Sequence, residues 1–536
     1  MWKNQLLYGD NLDMLSKMDD ASVDLVYLDP PFNSNRSYNV LYRHKDGQES
    51  QAQIEAFDDT WTWSQQSEEL YQFLVSGGSP VRVADAVEAM RRLLGQNDVV
   101  AYLVMMAARL IELRRTLRPT GSLYLHCDPT ASHYLKILLD ALFGAANFKN
   151  EISWLRSGAK NDPRRYGRSH DVVLFYSAGK TYTWNTQYTP FEQKSIEKNY
   201  THVEPETGRR YRRGDLTAAK PGGDVDFEWH GVRPYKGRHW AYSRDRLDRM
   251  LEEGRIEFRS TGMPVYKRYL DEQPGVPLQD VWTDIRLTSA DKERLGYPTQ
   301  KPLSLLERVI VASSDPHDVV LDPFCGCGTA IDAAQRLGRR WIGIDVTYLA
   351  IDLIEKRLRA VYGESIVDTF SVMGIPRDVE AARALFERSP FEFERWAVSR
   401  VDGQPNERQV GDRGVDGVIR FPADGKGHVE KVLVSVKGGR RLGPQMVRDL
   451  LGAISTQRAA GGLLITLERP TPGMVEAANH SGIFHANRQG RSYPKVQLIC
   501  VQDIFDGKRP KLPPVLLPYI QAQPRRAAVD QLTLDA

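Results

Sequence analysis

The sequence predicts an α/β fold: a doubly wound parallel sheet with an inserted region, followed by a second, smaller α/β domain. Short apolar runs that suit strands buried on both faces occur at 5–8, 23–28, 122–125, 172–176, 319–321 and 341–344. Helical patterns separate many of these runs, at 102–117, 133–143, 303–312 and 330–337. Because strands and helices alternate, crossover helices can join parallel neighbours, as a doubly wound sheet requires.

The same patterns divide the chain into five segments. Residues 178–295 interrupt the alternation with Gly, Pro, charged and aromatic residues, so we interpret them as an insertion. A separate unit begins near residue 375, after the helical pattern at 354–362. The predicted segments are a first part of the sheet domain at 1–177, the insertion at 178–295, a second part at 296–370, a further domain at 375–510 and a Pro- and Gln-rich tail at 511–536.

Length and composition restrict the class of protein. With 536 residues the chain exceeds the usual size of one hydrophobic core, and 41% hydrophobic residues suffice for two or three packed cores. The opening residues have no apolar signal region, and the longest apolar run, 99–108, is far shorter than the roughly 20 residues of a membrane-spanning helix. Four cysteines without the paired spacing of a zinc site fit a reducing compartment. We therefore expect a cytoplasmic protein with no membrane partner.

Basic and aromatic residues alternate between positions 156 and 249. The net charge of +3 does not by itself indicate a nucleic-acid partner. However, arginine clusters near 164, at 209–213 and at 233–238 alternate with tyrosine and tryptophan, and such a mixture suits phosphates and unstacked bases. A solvated, loop-rich domain with ordinary arginine–tyrosine packing explains this segment equally well when it is considered alone.

The most specific motif is Asp29-Pro30-Pro31-Phe32, which ends the apolar run 23–28. Ligands of open α/β sheets bind just outside the carboxyl ends of strands, so Asp29 lies where chemistry is expected. The prolines fix φ and lack N–H donors, which leaves nearby carbonyls free to accept hydrogen bonds. Phe32 offers an aromatic face to a planar base. Together these groups suit an exocyclic amino group.

A glycine loop follows the apolar run 319–321. The motif Asp-Pro-Phe-Cys-Gly-Cys-Gly-Thr at 322–329 leads from a strand into a helical pattern, and Gly326 and Gly328 permit close approach of a ligand to the backbone. Asp345 ends the next strand, where an acidic side chain commonly binds ribose hydroxyls. The loop alone also fits a nicotinamide cofactor or simple tight packing, although the third glycine of the dinucleotide fingerprint is missing.

In this order, the motifs resemble the beta class of amino DNA methyltransferases, which use S-adenosylmethionine. The resemblance covers about residues 5–360 and includes Tyr-Pro-Thr-Gln-Lys-Pro at 297–302. It implies a Rossmann-like methyltransferase domain with its catalytic part at 1–177, a target-recognition region at 178–295 and its cofactor-binding part at 296–370.

The resemblance also implies partners and residue roles. The substrate is double-stranded DNA with a flipped target base, because an amino nitrogen inside the stack cannot meet a methyl donor in line. Phe32 stacks on the base, while Asp29 and the Pro30 carbonyl accept hydrogen bonds from its amino group, with Pro31 completing the motif. The residues implied in binding S-adenosylmethionine are Asp10, Thr299, Gln300, Lys301, Asp322, Phe324, Gly326, Gly328 and Asp345.

Two of these aspartates have an ordinary structural alternative. The resemblance implies that Asp10 binds the adenine edge of the cofactor and Asp345 its ribose. Aspartate is also favoured as a helix cap or as an acceptor in a turn. The aspartate that opens the tetrapeptide at 29–32 resembles the adenine-N6 members more than the cytosine-N4 members, so adenine N6 is the favoured target.

A second resemblance lies in the unit at 375–510. The segments 391–396, 414–417 and 432–438 resemble the Mrr-like branch of the PD-(D/E)XK nuclease fold. In that fold a carboxylate, together with a Glu or Gln two residues before a lysine, binds magnesium. Asp416 and Lys437 match, but Ser435 replaces the second ligand and removes a hard-metal ligand.

This substitution leaves three interpretations of the second domain open. They are cleavage of DNA with compensation from Glu394 or Asp412, weak cleavage, and a retired nuclease that only binds DNA. A magnesium ion at Asp416 belongs to the first two. In a purely structural alternative, Asp416 forms a turn and Lys437 is a surface residue of an edge strand.

These observations favour methyl transfer from S-adenosylmethionine to the amino group of a DNA base, within a restriction–modification or defence system. The alternatives are a cytosine-N4 methyltransferase, a DNA-binding protein with an inert methyltransferase core, and a nicotinamide oxidoreductase. The sequence leaves a homodimer open.

Overall fold

The computed structural model describes residues 2–31, 37–43, 49–58, 63–158, 164, 166–219, 225–286, 291, 293, 295, 300–406, 414–422, 429–486 and 491–514. Contacts within the chain define two compact units. The first consists of residues 1–185 and 280–536, and the second of residues 186–279. The predicted boundaries of the five segments stay predictions.

The elements are numbered in chain order. Those before residue 186 are β1 Asn4–Tyr8, α1 Asn11–Leu15, β2 Val23–Leu28, β3 Ser37–Arg43, β4 Glu49–Asp58, α2 Gln65–Phe73, α3 Val81–Leu94, α4 Asp98–Thr116, β5 Leu117–Cys127, α5 Ser132–Phe143, β6 Phe148–Leu155 and β7 His170–Ser177. Those of residues 186–279 are β8 Tyr188–Thr189, α6 Gln193–Asn199, β9 His202–Val203, β10 Arg210–Asp215, β11 Thr217–Ala218, β12 His239–Trp240, α7 Arg244–Glu252, β13 Ile256–Phe258, β14 Pro264–Tyr269 and β15 Val276–Pro277.

The remaining elements complete the first unit. They are β16 Val281–Trp282, α8 Leu303–Ser313, β17 Val319–Asp322, α9 Thr329–Arg336, β18 Arg340–Asp345, α10 Tyr348–Tyr362, β19 Phe370–Met373, α11 Val379–Arg388, α12 Pro390–Arg400, β20 Gln404–Pro405, β21 Gly417–Pro422, β22 Val429–Lys437, α13 Pro444–Thr456, β23 Gly461–Thr466, α14 Pro472–Asn479, β24 Ile483–Ala486, β25 Arg491–Pro494, β26 Val496–Cys500 and α15 Val501–Phe505. Short non-α turns lie at Leu74–Gly78, Ala145–Asn147 and Glu364–Thr369.

A nine-stranded sheet confirms the predicted α/β fold class. Its strand order is β16-β6-β7-β5-β2-β17-β18-β1-β19. The six predicted apolar runs all lie within strands of this sheet: β1, β2, β5, β7, β17 and β18. The sheet is parallel except at β7, which runs antiparallel to both β5 and β6. None of the described residues that connect β6 to β7 is helical, so the chain turns back instead of crossing over.

Helix α4 forms the centre of the core on one face of this sheet. Every residue from 100 to 110 is buried, because the helix packs against the sheet on one side and against neighbouring helices on the other. Arg109 is the one charged residue in that buried span. None of the helices in the described part of the chain combines the length and apolar character needed to cross a membrane.

A second sheet confirms the smaller α/β domain. It has five strands in the order β20-β21-β22-β23-β26, with β22, β23 and β26 parallel and β21 antiparallel to β22. Leu433 and Leu464 of the sheet pack with Val447 of α13 and Met474 of α14. A hydrogen bond of 2.9 Å from the Tyr8 hydroxyl to Glu392 Oε2 joins this domain to the end of β1.

Residues 186–279 have a core of their own. Their largest sheet is antiparallel, with the strand order β13-β14-β10-β9. Trp229 and Trp240 are almost fully buried with Leu247 and Met250 of α7. Part of the positive charge of this segment is used internally, because Arg209 binds Asp271 at 2.8 Å and other arginines pair in the same way. These further pairs are Arg213–Glu257, Arg238–Asp215 and Arg255–Glu272.

Candidate active site

A cavity of about 290 Å³ lies at the carboxyl ends of the neighbouring strands β2, β17, β18 and β1. Of the residues predicted from the sequence, those lining it are Asp10, Asp29, Pro31, Gln300, Lys301, Asp322, Phe324, Gly326 and Asp345. Pro30 is buried beside Asp29, and Gly328 belongs to the same loop but does not line the cavity. Phe32 and Thr299 lie outside the described residues. Residues up to 335 positions apart in the chain therefore meet at one edge of the sheet.

The two carboxylate oxygens of Asp29 have different surroundings. Oδ2 forms an ion pair with the ammonium group of Lys301, and both side chains are largely buried. Oδ1 is buried and has no hydrogen-bond partner among the described residues. An unsatisfied buried acceptor costs on the order of 1–3 kcal/mol, so such an atom at a cavity suits a ligand that brings a donor.

The segment before Lys301 is fixed by Gln300. Its side-chain oxygen accepts a hydrogen bond of 2.7 Å from the Leu295 amide, and its side-chain nitrogen donates to the Glu293 carbonyl at 2.6 Å. The Gln300 side chain thus holds the loop to which it belongs, while the Lys301 side chain extends to Asp29. This pairing with a residue at the end of β2 was not part of the sequence prediction, which placed Lys301 among the cofactor contacts.

The glycine loop depends on backbone conformations that glycine adopts most readily. Gly326 and Gly328 have φ values of +47° and +74°, and the Gly328 amide donates to the Cys325 carbonyl at 2.7 Å. A Cβ atom at Gly328 would lie 2.6 Å from Cγ1 of Ile354 on α10. The loop therefore turns directly into α9 while its backbone stays close to the next layer of the protein.

Asp345 and Asp322 hold this loop at its two ends. Asp345 Oδ2 accepts a hydrogen bond of 2.9 Å from the Gly326 amide, and Oδ1 accepts from the Thr347 amide and hydroxyl at 2.9 and 2.8 Å. Asp322 accepts from the Phe324 amide at 3.0 Å. Burial raises the pKa of both carboxyl groups, most strongly that of Asp322. A cationic ligand in the cavity would favour their charged forms and so lower these pKa values.

Asp10 lies at the start of α1 and at the cavity, and its contact with the adenine edge stays a prediction. It caps α1 through a hydrogen bond of 2.7 Å from the Leu12 amide, as the structural alternative predicts, yet it also lines the cavity. Both of its oxygens accept hydrogen bonds of 2.9 Å from Nη2 of Arg109. Burial lowers the pKa of Arg109, and the charge of Asp10 opposes that effect.

Arg109 and Asn11 are site residues that sequence reasoning missed. Arg109 Nε donates to the Asn11 side-chain oxygen, and the Asn11 amide group donates to the Pro323 carbonyl at 2.8 Å. The network connects α4 and α1 to the residue after Asp322. One signal was present in the sequence: a single arginine directly follows the longest apolar run, 99–108, and a charge in a helix buried on all sides needs a partner.

A buried polar chain next to Asp29 was also missed. Tyr27, which lines the cavity, shares a hydrogen bond of 2.9 Å with Nδ1 of His126, whose Nε2 lies 3.2 Å from Asp171 Oδ2. Arg156 lies 3.3 Å from the other oxygen of Asp171. Burial alone would raise the pKa of Asp171, but the His126 hydrogen bond and the charges of His126 and Arg156 outweigh it and lower that pKa. These hydrogen bonds fix the end of strand β2, directly before Asp29.

We expect His126→Ala to destabilise the sheet domain by roughly 2–4 kcal/mol, because it leaves the Tyr27 hydroxyl and Asp171 without their shared partner and creates a cavity. Thermal and urea unfolding of the full chain would measure this change. His133→Ala, on the exposed side of α5, is the matched control and should change stability by less than about 0.5 kcal/mol. Equal stability of the two variants would contradict the assigned role of the chain.

The predicted nuclease residues only partly form a metal site. Asp416 Oδ2 accepts a hydrogen bond of 2.6 Å from the Val436 amide and lies 3.4 Å from the Ser435 hydroxyl and 3.7 Å from Lys437 Nζ. The buried Ser435 hydroxyl donates to the Gly414 carbonyl at 2.7 Å. Asp416, Ser435 and Lys437 are thus brought together, but the Val436 amide and the Lys437 ammonium group already lie against Asp416 Oδ2.

Two further observations concern metal binding in this domain. Glu394 lies half-buried on α12, and Asp412 lies outside the described residues. Among the described residues, no group of three or more His, Cys, Asp and Glu side chains could hold a metal ion. The structure gives no support to the magnesium ion that the sequence left open at Asp416.

The fold and the site place a glycine loop and an Asp-Pro-Pro motif around one cavity at the carboxyl edge of the sheet, which is where open α/β sheets bind their ligands. Residues 23–356 match the N6/N4 methyltransferase family model, described as DNA methylase. The chain belongs to this family and is a DNA amino methyltransferase. Residues 389–500 match the model described as NACHT-associated inactive Restriction Endonuclease 1, which confirms the restriction-endonuclease-like fold of the second domain.

Three curated relatives show how far the likeness extends. The type II methyltransferase M.EcaI of Enterobacter cloacae is 30% identical over 375 residues, which cover 68% of this chain and 72% of that protein. The Mod subunit of the type III restriction–modification enzyme StyLTI of Salmonella typhimurium is 24% identical over 354 residues, covering 62% of this chain and 50% of that protein. The type II methyltransferase M2.DpnII of Streptococcus pneumoniae is 46% identical over 135 residues, covering 25% of this chain and 50% of that protein.

Proposed function

We propose that this protein transfers a methyl group from S-adenosylmethionine to the N6 amino group of adenine in double-stranded DNA. The observation that carries the proposal is the buried Oδ1 of Asp29 at the cavity, which has no hydrogen-bond partner among the described residues. The amino group of a flipped base supplies the missing N–H donor. The Lys301 ion pair holds Oδ2, so the carboxylate presents its other oxygen in a fixed direction.

The residues around Asp29 explain how the amino nitrogen would be prepared. Asp29 Oδ1 and the Pro30 carbonyl accept its two N–H bonds, which orients the nitrogen lone pair and reduces its delocalisation into the ring. Bound S-adenosylmethionine would supply the electrophilic methyl group and leave as its neutral thioether, and the amino nitrogen that gains the methyl group would release one of its two protons to solvent. Because the prolines are rigid and Tyr27 is held by His126, little reorganisation is needed when the target arrives. The assignment of Phe32 as the stacking residue stays a prediction.

The charge of the cavity supports a sulfonium cofactor. Asp10, Asp29, Asp322 and Asp345 line it, and among the described lining residues only Arg109 and Lys301 are basic. Both basic groups are bound to aspartates. A cationic sulfonium and ammonium group is attracted by such a site, whereas the pyrophosphate of a nicotinamide cofactor is repelled. The residues present therefore fit S-adenosylmethionine, with the glycine loop around its methionine portion and Asp345 near its ribose.

The identity of the target base is testable directly. Unmethylated DNA is incubated with the purified chain and methyl-labelled S-adenosylmethionine, and the nucleosides are separated by mass spectrometry. We expect label in N6-methyladenine, because Asp29 opens the tetrapeptide as in adenine-N6 members. Label in N4-methylcytosine would agree with the proposed chemistry of the site but would show that the target base is cytosine.

The domain arrangement supports a role in a restriction–modification or defence system. One curated relative is named as a subunit of a type III restriction–modification enzyme, and two others are named type II methyltransferases. We assign the residues 178–295 to target recognition, and the second domain to DNA binding without cleavage, because Asp416 is occupied by protein donors. A homodimer stays a prediction.

We expect no magnesium-dependent cleavage or nicking of methylated or unmethylated plasmid DNA by the wild-type chain. Lys437→Ala should leave the methylation rate unchanged, because Lys437 contacts Asp416 of the second domain. Gel analysis with and without magnesium, beside a methylation assay, measures both. Cleavage by the wild type that disappears in Lys437→Ala would contradict the assignment and restore the nuclease interpretation.

A further inference from the structure

A two-residue turn projects from the core of the unit formed by residues 186–279. The Trp229 amide donates to the Val232 carbonyl at 2.9 Å, and the Val232 amide donates back to the Trp229 carbonyl at 3.1 Å. The central residues His230 and Gly231 have φ values of +47° and +76°. Positive φ at both positions is typical of type I′ turns, which strongly prefer Asn-Gly or Gly-Gly. His230 is therefore an unfavourable choice for the turn itself, which points to a role for its side chain.

The base of this turn is rigid while its tip is exposed. Trp229 is 1% exposed, and its indole N–H donates to Asp248 at 2.7 Å. The exposed His230 ring packs edge-on against Trp229, with ring centroids 4.5 Å apart, and against Phe258 at 5.7 Å. Aromatic contacts hold the imidazole at the surface, and its nitrogen atoms form no hydrogen bond with a described residue.

A second turn lies directly beside the first. The Gly262 amide donates to the Arg259 carbonyl at 2.8 Å, which closes the connection between β13 and β14. A Cβ atom at Gly262 would lie 3.5 Å from Val232, and Phe258 stacks on Trp229 with ring centroids 6.0 Å apart. The two turns, 229–232 and 259–262, therefore form one continuous surface, which we call the turn surface.

Two exposed arginines on or beside the turn surface lie outside the close ion pairs of this unit. Arg209, Arg213 and Arg255 form close ion pairs with carboxylates. Arg259 is exposed and forms no ion pair with a described residue. Arg233 is 63% exposed, and its distances of 3.9 and 3.8 Å to the exposed Asp226 and Glu228 make only weak pairs. Two guanidinium groups are thus available to an anionic or acceptor-rich partner.

We propose that the turn surface reads the target sequence in double-stranded DNA, with His230 and Arg259 contacting base edges and Arg233 contacting a phosphate. The inference rests on the proposed function. Arginine matches the O6 and N7 acceptors of guanine, imidazole can donate to or accept from a base edge, and a β-ribbon fits the major groove. The exposed Ser260 and Thr261 hydroxyls add contacts that suit either bases or phosphates.

The test uses the full chain and a mixture of DNA fragments of random sequence. Methylated positions are mapped by sequencing that detects modified bases, and the preferred motif is compared with its single-base variants. His230→Gly removes the imidazole while keeping a residue that favours positive φ, and Arg259→Ala removes the guanidinium. Arg210→Ala is the matched control, because it removes one exposed arginine at the far end of the same sheet.

We expect His230→Gly and Arg259→Ala to reduce the discrimination against at least one single-base variant by about 10- to 100-fold. His230→Gly should melt at the same temperature as the wild type or higher, since the turn favours glycine. Arg210→Ala should keep the wild-type motif and discrimination. Unchanged motif and discrimination in both turn variants, with an active wild type, would overturn this inference alone. Absence of methyl transfer by the wild type would overturn the proposed function and this inference with it.

Discussion

Replacement of Asp29 by alanine should reduce kcat for methyl transfer by at least about 100- to 1,000-fold while leaving the affinity for S-adenosylmethionine nearly unchanged. The reason is the division of the site. Asp29 is proposed to present Oδ1, which has no partner in the described part of the chain, to the target amino group, whereas the cofactor contacts are assigned to the glycine loop and Asp345. Loss of Asp29 removes the acceptor that orients the amino nitrogen.

Single-turnover methylation at saturating cofactor and calorimetric titration of the cofactor separate these two effects. Asp19→Ala removes an exposed carboxylate from the loop before β2 and is the control for a general loss of negative charge. It should behave as the wild type in both assays. A parallel loss of cofactor affinity and methyl transfer in Asp29→Ala would place Asp29 at the donor and contradict the assigned role.

Gly328→Ala should abolish measurable binding of S-adenosylmethionine, or weaken it by at least about 100-fold. The new methyl group would lie 2.6 Å from Ile354 Cγ1 at a residue whose φ is +74°. Because the Ile354 side chain is itself buried, we expect the loop to shift. The hydrogen bond from the Gly326 amide to Asp345 would then be lost.

Gly338→Ala is a closely matched control for this change. Gly338 has a similar φ of +68°, but nothing lies within 4 Å of an added Cβ atom. It should cost about 1 kcal/mol of stability through backbone strain and leave cofactor affinity unchanged. In addition, Ile354→Ala combined with Gly328→Ala should recover part of the binding. If Gly328→Ala binds the cofactor as well as Gly338→Ala does, the close packing of the loop has no functional role.

Local sequence signals were sufficient for the fold class and for the two motifs. Strand β17, the glycine loop and helix α9 follow one another in the sequence. Local spacing and conformational preference were therefore enough to predict all three. Asp29 and Asp345 follow short apolar runs, and the carboxyl ends of parallel strands must meet at one edge. The aspartates therefore converge as predicted, although the roles assigned to them stay predictions.

Pairings between distant residues could not be predicted in the same way. Asp29 and Lys301 are 272 positions apart, and nothing in either local sequence specifies the partner. The Tyr27–His126–Asp171 chain depends on the antiparallel insertion of β7 between β5 and β6, whereas strand alternation predicts parallel neighbours. Arg109 was the exception with a readable signal, since one charge in a fully buried helix requires an acidic partner.

The second domain shows a different limit of sequence reasoning. The segments 391–396, 414–417 and 432–438 predicted its fold, and Ser435 at a ligand position indicated a weakened metal site. The contacts of the Asp416 carboxylate, however, are set by the folded structure and are not visible in the sequence. Asp416 Oδ2 accepts a hydrogen bond from the Val436 amide and lies near Ser435 and Lys437. The protein itself therefore compensates the negative charge of this carboxylate.

Transfer of labelled methyl groups to unmethylated double-stranded DNA, measured for the wild type and Asp29→Ala side by side, tests the central claim most directly. We predict incorporation into DNA by the wild type and none above background by the variant, with both proteins binding S-adenosylmethionine. Incorporation at equal rates by both proteins, or no incorporation by a wild type that binds the cofactor, would contradict the proposal that Asp29 prepares a DNA amino group for methylation.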